Sequence, residues 1–163
     1  MTATADAGDG GTARRTRAMR RAEEPRRRGG GRTPAASPVP TTQTSPRPIN
    51  KTICVPGWIK TVRPPVSYTT PLKAKQVGEY GYKDTSTADY EEGQLIPLEL
   101  GGALRDPKNL WPEPRYGNQP AASKGSVEGK HKTAVCNGTV KLDAARKAIA
   151  TGWTTALSQT GLS

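Results

Sequence analysis

Asp89-Tyr-Glu-Glu-Gly-Gln-Leu-Ile-Pro-Leu-Glu-Leu-Gly-Gly-Ala-Leu-Arg-Asp-Pro-Lys-Asn-Leu-Trp-Pro-Glu-Pro114 is the stretch on which the fold reading turns. An acidic cluster leads into a short apolar run, Leu95 to Leu100, which a Gly-Gly pair interrupts. A polar turn follows at Arg105 to Lys108, then a second apolar piece, Asn109 to Trp111, stopped by Pro-Glu-Pro. Two short extended pieces joined through glycine and Asp-Pro turn chemistry read as an irregular hairpin. The next helix-compatible residues begin near Pro120, so the expected order is strand, turn, strand, helix.

Downstream, Val127, His131, Ala134 and Val135 fall on one face of a helix spanning 120–137, with Asn137-Gly138 as its stop. Leu142, Ala145, Ile149, Trp153, Ala156 and Leu157 form an apolar stripe that predicts a second helix over 141–157, and the six residues after it are expected to fray. Upstream, Ile53, Val55, Trp58, Ile59 and Val62 suit short strands across 51–73, with Val66 to Thr70 as another extended piece. A short helix is expected from Leu72 to Tyr80, with Pro71 near its first position. Tyr80, Tyr82 and Tyr90 suit either base stacking or packing on a small core.

Residues 1–50 hold ten arginines against four acids, filled out with Gly, Pro, Ser and Thr. Such a segment buries too little apolar surface to offset its ordering entropy and reads as a disordered basic tail before a folded domain at 51–163. The whole chain carries a formal net charge of +11 over 163 residues, which favours a polyanionic partner. No apolar run approaches the roughly 18 to 20 residues of a membrane span, and no apolar segment follows the N-terminal basic residues as in a secretory signal. These features favour the cytoplasm. Cys54 and Cys136 are too far apart in sequence for a CxxC metal site. They form one disulfide in an oxidising compartment or stay as two thiols in a reducing one.

The central stretch resembles the core of the HNH (His-Me finger) endonucleases, and more closely a bacterial HNH-like family carrying Asp-His-Leu-Ile-Pro-Leu-Glu-Leu-Gly-Gly followed by Asn-Leu-Trp-Pro-Glu. Gln94 to Gly102 and Asn109 to Glu113 carry the likeness, which extends through Cys-Val-Pro-Gly-Trp at 54–58 and the Arg-Pro-Pro at 63–65. The resemblance implies an α+β domain with a small ββα-metal core, additional short strands and a C-terminal helix. It also implies a divalent metal such as Mg²⁺, and phosphodiester cleavage in which a histidine is general base and the metal stabilises the leaving oxygen.

Where that family has Asp-His, this chain has Gly93-Gln94. Gly93 stands at the metal-carboxylate position and Gln94 at the base position; Asn109 stands where an asparagine orients the base. Glycine offers no side-chain ligand, and a neutral amide accepts no proton near pH 7. Losing a general base typically removes roughly a hundred- to ten-thousand-fold in rate. The expectation is therefore a nucleic-acid-binding domain, DNA favoured, with a degenerate site and weak or absent hydrolysis.

Two alternatives stand beside it. In one, the nuclease is active and holds its metal through His131 with Glu91 or Glu92. In the other, the scaffold is a protein-interaction module. Arg105, Lys108, Arg115, Lys124, Lys130 and Lys132 are the candidate nucleic-acid contacts. Glu128 fits an ion pair with Lys124 or Lys132, its i±4 neighbours.

Overall fold

The computed structural model describes residues 48–163; expectations for the arginine-rich segment fall on residues outside that range, apart from its last three positions. The architecture is α+β. Two short helices, α1 (Trp58–Val62) and α2 (Val66–Glu79), precede the strands β1 (Tyr90–Gln94) and β2 (Leu110–Pro114). The helices α3 (Ala121–Cys136), α4 (Leu142–Gly152) and α5 (Ala156–Gln159) follow.

The strands form a two-stranded antiparallel sheet, with Gly93 opposite Trp111 and Gln94 opposite Leu110. Strand, turn, strand and helix therefore succeed each other as expected, but the boundaries move. Pairing occupies Tyr90 to Gln94 rather than Leu95 to Leu100, and Leu98–Leu100 is a 3-10 turn buried against the helices. Leu95 donates its backbone N–H to the Asn109 carbonyl at 2.8 Å, and Pro97 diverts the chain directly afterwards. Apolar character at 95–100 reflects burial, not strand.

The N-terminal strands expected across 51–73 are absent among the described residues. That stretch is a 3-10 turn at Ile49–Lys51 followed by α1 and α2. Pro64-Pro65 ends one helix and leads into the next, which starts at Val66 and carries Pro71 inside it. The β-branched residues here suggested strands, but no partner strand lies beside them, so local preference yields to packing.

α3 forms over the expected range. The helix expected over 141–157 breaks at Gly152, whose extended backbone separates α4 from a 3-10 turn and α5. The break lets both Ile149 and Trp153 stay buried in one core with Ile53, Leu100, Val135, Val140 and Ala145. Each large apolar side chain buried there contributes about 1.5–3 kcal/mol. The last residues do not fray: Leu162 donates its N–H to the Leu157 carbonyl at 2.8 Å and packs on the core, and Lys130 donates to the Ser163 carbonyl at 3.1 Å.

Cys54 and Cys136 form a disulfide, tying the segment before α1 to the end of α3. On the hairpin, α2 is fastened through Gln76, whose Nε2 donates to the carbonyls of Pro107 at 3.1 Å and Leu110 at 2.7 Å. Lys73 adds a bond to the Tyr90 carbonyl at 3.0 Å. The tyrosines take the packing role: Tyr82 and Tyr90 lie 4.8 Å apart, and the Tyr90 hydroxyl reaches the Asp84 carbonyl and the Tyr116 hydroxyl.

Candidate functional site

Gly93 and Gln94, at the end of β1, open onto a cleft of about 160 Å³ between the hairpin, α1 and α3. Five glutamates line it: Glu91, Glu92, Glu99, Glu113 and Glu128; Arg63 is the cation among the lining residues. These five are half of the ten acids in the described residues, so negative charge is concentrated at this one place while the rest of the surface is strongly basic.

Three of the lining residues, Gln94, Glu113 and Glu128, are joined by Lys124. Its side chain is almost wholly buried, and Nζ donates to the Gln94 carbonyl at 2.5 Å and to Glu128 one helical turn on. Glu113 Oε1 lies 3.1 Å from the same ammonium, an ion-pair contact not aligned as a hydrogen bond. One cation thus joins β1, β2 and α3. Burial alone would lower the Lys124 pKa, but Glu113 and Glu128 outweigh it and hold the group charged. Burial pushes the Glu113 carboxyl up to about 7 against the pull of Lys124. Burial also raises Glu92 to about 7, with Lys73 opposing. Both Glu92 oxygens are buried and accept no hydrogen bond.

Glu113 reaches Lys124 only because residue 93 has no side chain. A Cβ at Gly93 would overlap the Glu113 carboxylate and its Cγ. The space beside Gly93 is therefore filled by a neighbour from β2.

Asn109 lies beside the cleft but does not face it. Its side chain is fully buried; Nδ2 donates to the carbonyls of Ile96 and Ala103, both at 3.0 Å, and Oδ1 accepts from the Ile96 N–H at 2.9 Å. With both amide protons donated and Oδ1 accepting from the Ile96 N–H, Asn109 clamps the 96–103 loop and is turned away from the cleft. Gly102 completes the clamp, because a Cβ there would overlap the Ile96 carbonyl.

His131 is on α3 but away from the cleft, fully buried. Nδ1 meets the Val127 carbonyl and Nε2 the Thr160 hydroxyl, each at 2.9 Å. A carbonyl only accepts, so Nδ1 donates to Val127; the Thr160 hydroxyl that meets Nε2 also lies 2.9 Å from the Ala156 carbonyl. Nδ1 is held by its own helix and Nε2 by Thr160 near the C-terminus, which corrects the expectation of His131 as a metal ligand. Glu91 is exposed and reaches Arg115 at 3.8 Å; Glu92 is the carboxylate that faces inward.

Lys124 is likewise corrected from a nucleic-acid contact to a buried clasp. The other proposed contacts stay at the surface. Arg105 lies 5.8 Å over the Tyr68 ring, while Lys108, Arg115 and Lys130 are exposed and Lys132 is half-exposed.

The implied divalent metal does not fit this arrangement. Gly93 supplies no side chain, His131 is spent, and the oxygens of Gln94, Glu113 and Glu128 already surround an ammonium. No group of three His, Cys, Asp or Glu side chains among the described residues is placed to hold a metal ion. The i,i+4 spacing of Lys124 and Glu128 was legible in the sequence; the partnership with Glu113 was not, because it depends on strand register.

No family model matches the chain, and no curated protein or solved structure shows significant similarity to it.

Proposed function

We propose that this chain is a nucleic-acid-binding domain of HNH-like kind whose hydrolytic site is degenerate. The observation that carries the reading is the cleft at Gly93-Gln94: a hairpin followed by a helix, as the sequence likeness calls for, lined by five glutamates and one arginine and by no histidine. Five glutamates repel a phosphodiester, and the one buried ammonium is shared between two of them. Polyanion binding then falls to the basic surface, Arg105, Lys108, Arg115, Lys130 and Lys132, through sequence-independent phosphate contacts. No helix among the described residues is long and apolar enough to cross a membrane. The disulfide favours an oxidising setting over the cytoplasm.

Plasmid incubated with the full chain and Mg²⁺ or Mn²⁺, with and without chelator, tests the reading: no chelator-sensitive nicking is expected, together with DNA binding that weakens steeply with salt. Removing Arg105 and Lys108 together lowers the magnitude of the salt slope by about two. Absence of binding even at low salt overturns the proposal in favour of a protein-interaction module.

A second reading rests on Glu92, whose carboxyl is raised to about 7 beside the base position and is suited to accept a proton at neutral pH. Nicking that persists in chelator and is abolished by Glu92→Gln would support it.

A further inference from the structure

Lys124 and its oxygens have the composition of a cation site with the cation built in. Two carboxylates and a backbone carbonyl, from α3, β2 and β1, converge on one point. Hard divalent cations take oxygen sets of this kind. The occupant here is an ammonium with three protons, carried on a side chain that enters from α3 and is 2% exposed. Glu128 is partly shielded at 13% side-chain exposure and Glu113 more deeply at 6%, so neither carboxylate is a freely solvated surface charge. Without a cation, two buried carboxylates would face each other, and either one takes up a proton or the junction between hairpin and helix opens.

We propose that the Lys124 ammonium is the resident cation of this junction: the domain closes without metal, and the same oxygens become a divalent-cation site only when the ammonium is removed. The inference rests on geometry and stands whether or not the chain binds nucleic acid.

Thermal unfolding of the full chain, in chelator and in Mn²⁺, tests it. The wild-type midpoint is expected to be the same in both. Lys124→Ala is expected to melt lower in chelator and to be raised by Mn²⁺. At a metal concentration about a hundred times the dissociation constant, the folding equilibrium gains roughly a hundred-fold, a rise of about 10 °C. The rise should vanish when Glu113→Gln and Glu128→Gln are added. Should Lys124→Ala be unfolded in chelator, refolding on addition of Mn²⁺ is the supporting outcome. Lys124→Ser, which leaves a hydroxyl oxygen in the seat, is read in the same way. A wild-type midpoint that rises with Mn²⁺ and loses the rise in Glu113→Gln overturns the proposal. So does failure of Mn²⁺ to fold or raise either Lys124 variant.

Discussion

Replacing Gly93 by alanine adds one methyl group, and the structure makes that methyl expensive. The Cβ overlaps the carboxylate and Cγ of Glu113, so the obstruction involves the root of the side chain as well as its tip. Glu113 must swing away, and its contact with Lys124 at 3.1 Å is lost. Lys124 keeps Gln94 and Glu128, so the loss is that of one charge-assisted contact in a buried place, roughly 2 kcal/mol. With an unfolding entropy of about 2.1 cal/mol/K per residue, this corresponds to a fall of about 8 °C in the midpoint of the described domain. The assay is thermal unfolding of Gly93→Ala, Glu113→Ala and the double variant. In the Glu113→Ala background the methyl meets nothing, so Gly93→Ala there is expected to be near neutral, giving a coupling of about 2 kcal/mol. A Gly93→Ala protein that melts within about 1 °C of wild type refutes the reasoning, since the clash would then cost under 0.3 kcal/mol. An equal loss in both backgrounds refutes it as well. The same obstruction bears on introducing the Asp-His pair of the resembled family by Gly93→Asp with Gln94→His. The new carboxylate meets Glu113 in both volume and charge, so no nicking is expected from this pair unless Glu113→Ala is added.

Two further outcomes follow from the same region. Glu92 and Glu113 have folded-state pKa values raised to about 7, above the unfolded range near 4.5, so between those limits the folded state binds more protons. Their contribution to stability is fully present below about pH 4.5 and is lost as pH rises through 7, so denaturant midpoints should fall between pH 5 and pH 8. Glu92→Gln and Glu113→Gln should each flatten that dependence, and an unchanged slope in both variants would exclude these carboxyls as its source. Asn109→Ala leaves the Ile96 N–H and the Ile96 and Ala103 carbonyls without its amide, at about 1 kcal/mol or more apiece. A loss of about 3 kcal/mol in urea unfolding is expected, and a loss under 1 kcal/mol would show that the loop is held by other means.

The order of elements around the cleft was readable because turn and helix signals are local. Asn137-Gly138 stops α3, and its apolar spacing locates the helix to within a residue at either end. Leu142, Ala145 and Ile149 announce α4 in the same way, although nothing in the periodicity reports that Gly152 breaks it. The N-terminal third misled because β-branched residues favour strands only where a partner strand exists, and α1 and α2 have none. At the site, what the glycine at position 93 permits emerges only with the strand pairing that brings Glu113 against it. Asn109 and His131 show the complementary failure. Each is a polar residue at a suggestive position, and each proves to be buried and bonded to its own neighbourhood rather than facing the cleft.

Every residue lining the cleft, from Ile59 to Glu128, falls between the two cysteines. The site therefore sits inside a closed covalent ring, with α4 and α5 attached outside it as a C-terminal branch. A single cut by a protease anywhere along the ring converts it to an open chain without releasing either piece, so the two halves of the cleft stay tethered at high local concentration. The ring also supplies a ready route to relocated termini: the chain can be opened at the exposed Gly117-Asn118 turn while the cysteines keep the halves joined.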